Sequence, residues 1–263
     1  METPMEGLMI KDLTLSFPEG LVLKQVNLSV AQGQVVTIIG ESGSGKTLLT
    51  KLMLGMVPEG ARVTGEVVYN GVSLLSLSPK ALRPFLGRRL AYMTQNPMAM
   101  FNPFQTIREH FIETILSHRS CSRQEALDMA LQAMKELRLG HAEKVLQSYA
   151  FELSGGMLQR VMLAMLLCLD MEVLILDEPT SALDAYNREN MLRLLSALKA
   201  QGKAIVTVTH DYDLARQLGG EMVVMAKGEL VERGPAETIL TQPSHPYTQE
   251  LVLGNPYERL VER

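Results

Sequence analysis

The stretch 35–55, VVTIIGESGSGKTLLTKLMLG, holds residues whose types and spacing suit a phosphate. Gly40 and Gly45 are separated by four residues, and Lys46 and Thr47 follow directly. Val35–Ile39 reads as a buried strand before the glycines, and Thr47–Leu54 as a helix after them. Strand, glycine loop and helix in this order make the P-loop pattern. Its glycines permit a tight turn that opens at Gly40 and Glu41. Backbone N–H groups of Ser42, Gly43, Ser44, Gly45, Lys46 and Thr47 can then surround a β-phosphate. Lys46 brings a positive charge to the β- and γ-phosphates, and the Thr47 hydroxyl can ligate Mg²⁺.

A second reactive centre lies in EVLILDEPTSALD, residues 172–184. Val173–Leu176 reads as a short strand ending in two acids. Asp177 suits the Mg²⁺ shell, and Glu178 suits the general base that polarises an attacking water. Alone, these would be solvated acids at a strand end. The strand KAIVTVTH, starting at Lys203, ends in His210, and RLAYMTQ ends in Gln95. If the three strand ends meet in one crevice, His210 can touch a γ-phosphate, and Gln95 can touch Mg²⁺ and water. In isolation, each is an ordinary polar terminus.

The segment FELSGGMLQR, residues 151–160, starts an apolar helical run, Met157–Leu169, on Ser154, Gly155 and Gly156. Glycine costs ~1 kcal/mol relative to alanine inside a helix. Two readings stand side by side: an ordinary N-cap, or bare N–H groups at a helix start that accept a phosphate.

These residues must be positioned by the rest of the chain. Its 263 residues suffice for one large domain or two small ones, and 46% are hydrophobic. The net charge of −4 argues against nucleic acid as a partner. Cys121 and Cys168 have no metal-ligand spacing and suit a reducing cytoplasm. No secretory signal opens the sequence. The longest apolar run, Val161–Leu169, has nine residues, against the ~20 of a membrane span. Residues 1–34 alternate as short strands of an antiparallel layer. Residues 35–94 begin the P-loop core. Residues 96–158 carry helical periodicity, with Ser122 and Glu125 spaced as a capping box. Residues 159–233 alternate strand and helix, as a parallel sheet requires. Short helices are expected beyond Pro235.

Gly40–Thr47, Gln95, Leu153–Gly156, Leu176–Glu178, Ser181–Asp184 and His210 together resemble, in order and spacing, the ATP-binding-cassette (ABC) ATPases. The resemblance implies an α/β fold: a P-loop NTPase (RecA-like) core, an N-terminal antiparallel β layer and a helical subdomain. It implies a single nucleotide-binding domain over 1–263. Residues 1–94 and 159–263 would form the β layer and core, and 95–158 the Gln95 loop and helical subdomain. ATP and Mg²⁺ are the implied cofactors, with Thr47, Gln95 and Asp177 around the metal. Glu178, His210 and Gln95 take the catalytic roles. Phe17, 29 residues before Lys46, would stack on adenine.

In this family two nucleotide-binding domains pair head to tail. Ser154, Gly155 and Gly156 would then meet the nucleotide of a partner subunit, in a homo- or heterodimer. Further implied partners are integral membrane permease subunits and, indirectly, a substrate-binding protein. The chain would sit at the cytoplasmic face of the inner membrane, held there by the permease. Met98, Met100, Phe101 and Phe104 are candidates for the permease groove, or for subdomain core.

The stretches QNPMAMFNPFQTI, SYAFELSGGMLQR and QPSHPYTQELV are similar to the oligopeptide, dipeptide and nickel importer branch. The first two are most similar to nickel or metal-chelate importers. The short tail after HPYT implies no cysteine-bearing iron–sulfur segment. A non-transport ABC ATPase would usually show two cassettes, a long coiled-coil insert or basic surfaces, and this sequence has none.

Overall fold

The structure, a computed structural model, describes residues 6–181 and 183–254. Alternating apolar and polar residues produce β1 (Gly7–Phe17) and β2 (Gly20–Ala31), which pair antiparallel. The chain continues through β3 (Val35–Ile39) and α1 (Lys46–Met53). Then β4 (Arg62–Tyr69) and β5 (Val72–Ser73) return to the first layer, giving the strand order β2-β1-β4-β5. The antiparallel layer therefore extends past residues 1–34. Tyr69 pairs with Leu8 across the chain, an association that local alternation cannot reveal.

After α2 (Pro79–Leu82) and β6 (Leu90–Met93) come α3 (Ile107–His118), α4 (Arg123–Glu136), α5 (Ala142–Gln147) and α6 (Gly155–Leu167). The expected capping box forms: the Glu125 N–H donates to Ser122 Oγ at 3.2 Å, and the Ser122 N–H donates to Glu125 Oε2 at 2.7 Å. Thr106 and Glu109 form an unforeseen one at the start of α3.

The remaining elements are β7 (Val173–Asp177), α7 (Ala185–Ala200), β8 (Ala204–Val208), α8 (Tyr212–Leu218), β9 (Glu221–Ala226), β10 (Glu229–Pro235), α9 (Ala236–Thr241) and α10 (Pro246–Leu253). The second sheet has the order β10-β9-β3-β8-β7-β6. Its strands from β9 to β6 are parallel, as the alternation of strand and helix suggests, and β10 joins β9 antiparallel at the edge.

Every residue of β3, β7 and β8 is buried, as parallel strands covered on both faces require. Period-two alternation sends Val36, Ile38, Ile175 and Val206 toward α1 and the antiparallel layer. Leu174, Leu176 and Ile205 face the helices, where Phe111, Ile115, Ala130, Met134, Leu158 and Met162 fill the centre. No helix among the described residues is long and apolar enough to cross a membrane.

Phe111 is fully buried in that helical core. Phe111→Ala is expected to lower stability by about 3–5 kcal/mol through lost burial and a cavity. Denaturant unfolding measures it, and a loss below about 1 kcal/mol would contradict the core assignment.

Candidate active site

Register brings the strand ends level. Ile38 pairs with Val208 and Asp177 also pairs with Val208, so the residues that follow β3, β7 and β8 leave the sheet together. They open on a cavity of about 1230 Å³ whose walls include Lys46, Thr47, Gln95, Asp177, Glu178 and His210. Four of the five segments picked out in the sequence thus meet at the carboxyl ends of parallel strands, where ligands of such sheets bind.

The loop after β3 needs glycine for a measurable reason. Gly40 has φ 152°, and a Cβ there would lie 2.1 Å from the Met225 carbonyl oxygen on β9. Gly43, at φ 82°, has open space where a side chain would stand. Ser42, Gly43 and Gly45 line the cavity, while Gly40, Glu41 and Ser44 shape the turn behind them. The Lys46 ammonium donates to the carbonyls of Gly40 at 2.6 Å and Glu41 at 2.7 Å, with Ser44 Oγ at 3.5 Å. Burial lowers its pKa, against the opposing pull of Glu178, Asp177 and Glu41. The Glu41 N–H donates to Tyr247 Oη at 3.0 Å, so α10 anchors the loop.

Asp177 is buried at the end of β7, and Tyr92 Oη on β6 donates to its Oδ2 at 3.3 Å. Burial and the adjacent Asp177 push the Tyr92 phenol up to about 12. Thr47 and Gln95 are exposed on the cavity wall. A buried carboxylate, a hydroxyl and an amide oxygen around one space fit a hard divalent cation.

Glu178 takes φ 52°, the left-handed region, at a cost of about 1–3 kcal/mol for a non-glycine residue. Its N–H donates to the Val208 carbonyl at 2.8 Å, and its carbonyl accepts from Ser181 Oγ at 3.1 Å. The turn lifts the carboxylate into the cavity beside His210. Oε1 stands 3.4 Å from the imidazole Nε2, and Oε2 accepts the His210 N–H at 3.4 Å. Burial raises the Glu178 pKa; the His210 N–H opposes that rise and Asp177 adds to it. Burial, then Lys46, lowers the His210 pKa below 6.5. With its pKa below 6.5 the imidazole is neutral at neutral pH, so this contact is not an ion pair.

Asp211 was invisible in the sequence and ties three segments. Its Oδ2 accepts from Thr180 Oγ1 at 3.0 Å and meets Arg188 Nε at 3.3 Å. Its Oδ1 caps α8 through the Leu214 N–H at 3.0 Å.

Other expected residues lie elsewhere. Phe17 is half-buried beside the β1–β2 turn and does not line the cavity, where Val22 of β2 does. Ser154 caps α6, accepting from the Met157 N–H at 3.3 Å. The helix begins at Gly155, earlier than Met157. Ser154 and Gly155 are exposed, and none of Ser154, Gly155 and Gly156 lines the cavity of their own chain. Ser181 lines it, Asp184 caps α7, and Ala182 lies outside the described residues. Met98, Met100 and Phe104 are exposed, but Phe101 is buried edge-on to His110 at 5.0 Å between ring centroids, so Phe101 belongs to the core. The exposed, stacked rings of Tyr149 and Phe151 were missed.

The sequence profile of the family described as ABC transporter matches residues 23–181. The metal-staphylopine import system ATP-binding protein CntD of Staphylococcus aureus (strain NCTC 8325 / PS 47) is 37% identical over 220 residues, covering 83% of this chain and 81% of that protein. The probable D,D-dipeptide transport ATP-binding protein DdpD of Escherichia coli (strain K12) is 36% identical over 248 residues, covering 92% of this chain and 76% of that protein. Among solved structures, the dimeric ATP-binding cassette MJ0796 in a post-hydrolysis state with ADP and Pi superposes with a TM-score of 0.78 at 28% identity, covering 87% of this chain and 98% of that one. The P-loop, the strand-end acids and His210 around one cavity, with these similarities, establish that the chain belongs to the ABC transporter family, as one of its ATP-binding cassettes.

Proposed function

We propose that this chain is a single nucleotide-binding domain that hydrolyses ATP and drives a membrane permease importing nickel or a metal chelate. The convergence of Lys46, Asp177, Glu178 and His210 on one cavity carries the catalytic part of the reading. The loop N–H groups and Lys46 hold the β- and γ-phosphates. Thr47, Asp177 and Gln95 would hold Mg²⁺, which screens phosphate charge when bound. Glu178 accepts a proton from the water that attacks the γ-phosphorus, the bond to the bridging oxygen breaks, and ADP and phosphate result. His210, neutral and beside Glu178, donates a hydrogen bond to the γ-phosphate. Phe17, at the β1–β2 turn, would stack on adenine, with Val22 supplying apolar surface on the cavity wall.

Ser154 and Gly155 are exposed, and neither they nor the half-buried Gly156 line the cavity of their own chain, which supports a role at the nucleotide of a second subunit. The dimeric form of the similar cassette supports the same arrangement. Exposed Met98, Met100 and Phe104 suit a permease surface on the cytoplasmic side of the membrane, with a binding protein acting upstream. Peptide cargo is the second reading, favoured by the dipeptide-transport relative that covers 92% of the chain.

Glu178→Gln is expected to reduce turnover by ~10²–10⁴ while keeping ATP binding. ATP-dependent dimers should then accumulate on size exclusion. Turnover at the wild-type rate would remove Glu178 from the base role.

The same variant has a pH signature. The folded-state pKa of Glu178 lies above its ordinary 4.5, so ionising it costs stability at neutral pH. Glu178→Gln should unfold at a higher temperature than the wild type at pH 8. That gap should shrink as pH falls through the raised pKa and close near the unfolded value. A gap that widens on acidification would contradict the assigned shift.

For cargo, uptake of radioactive nickel, with and without chelators, and of a labelled dipeptide is compared in cells with and without this subunit. Deletion is expected to stop metal uptake. Spared metal uptake with lost dipeptide uptake overturns the metal reading in favour of peptide.

A further inference from the structure

Gln159 lies five positions after Ser154 on α6 and is 1% exposed. Its Nε2 donates to the Pro179 carbonyl at 2.6 Å, across 20 residues of sequence. Pro179 directly follows Glu178, whose backbone is held in the left-handed region. A carbonyl only accepts, so the amide must present its nitrogen there. The other end of the amide, Oε1, has no hydrogen-bond partner among the described residues. A buried amide satisfied at one end is less stable than a well-fitted apolar side chain, so stability alone does not account for glutamine at this position. What glutamine supplies is one donor, aimed at the Pro179–Thr180 peptide unit, one residue beyond the general base.

We propose that Gln159 is a positioning residue that couples α6 to the turn carrying Glu178. The inference rests on the reading of Glu178 as base and of the α6 start as the cap on a partner's nucleotide. The same rigid helix bears both Ser154 at its tip and Gln159 one and a half turns later. A displacement of α6 when its tip meets the nucleotide of the partner subunit is then passed to Pro179 and sets the aim of Glu178 in the chain's own cavity. Each chain thereby adjusts its own base according to the occupancy of the neighbouring site. Gln159 touches no substrate and acts only through the backbone of the turn.

The test uses Gln159→Met, which fills the same space without the donor, and Gln159→His, which returns an N–H at similar reach. Thermal unfolding and fluorescent-ATP affinity of each subunit are measured beside kcat and KM. The Glu178→Gln single variant and the Gln159→Met/Glu178→Gln double variant are compared for ATP-induced dimerisation. Gln159→Met is expected to lower kcat at least ten-fold, with KM and nucleotide affinity within two-fold of wild type. Gln159→His is expected to recover kcat to within three-fold of wild type. Both dimers should form at the same ATP concentration, because the lesion acts through Glu178. A Gln159→Met protein with wild-type kcat overturns the proposal. So does a double variant that dimerises only at higher ATP, since the lesion would then act at the tip of α6. A fall in kcat matched by equal loss in Gln159→His and a lower unfolding temperature reduces Gln159 to a structural role. Failure of the underlying reading shows separately, as wild-type turnover by Glu178→Gln alone.

Discussion

Three charges held partly out of water organise this molecule: the ammonium of Lys46 and the carboxylates of Asp177 and Glu178. Burial pulls the lysine toward its neutral form and the Glu178 carboxyl toward its acid form. Their mutual attraction opposes both shifts, and the loop carbonyls and the His210 N–H complete the balance. Isolated burial of any of these ions would be costly. Together they form a cavity that favours a highly charged ligand bringing its own cation.

That cluster explains the architecture around it. Parallel strands with both faces covered deliver loop ends to one edge without exposing the sheet. The antiparallel layer and α1 cover one face, and the helical group covers the other. The strained turn at Glu178 is held by three neighbours: Val208, Ser181 and, one residue on, Gln159. Asp211 fixes the start of α8 beside His210, so the histidine and the glutamate are referenced to each other through backbone as well as side chains.

The glycine loop, Asp177, Glu178 and His210 were legible because their chemistry demands particular residue types at strand ends. The helices Ile107–His118 and Arg123–Glu136 were legible through periodicity and the Ser122 cap, whereas the short α5 was not. Residues 62–73 were not, because strand pairing with β1 depends on tertiary contact rather than local pattern. Phe101 and its neighbours Met98 and Met100 look alike as apolar residues in sequence. Only the path of the loop decides that Phe101 turns inward onto His110. Gln159, Asp211 and Tyr247 carried no signal of their own, since each matters through a partner far along the chain. The family resemblance assigns Phe17 to the adenine; in the structure Phe17 pairs with Gly20 at the β1–β2 turn, and Val22, two residues further along β2, is on the cavity wall.

The central claim is that one cavity holds the reacting phosphates while the start of α6 serves the cavity of another subunit. A structure of the Glu178→Gln protein with ATP and Mg²⁺ tests it most directly. The account predicts two chains enclosing two nucleotides. Each γ-phosphate would be contacted by Lys46 and the loop N–H groups of one chain, and by Ser154 and Gly156 of the other. A bound nucleotide whose γ-phosphate meets residues of its own chain alone would contradict it.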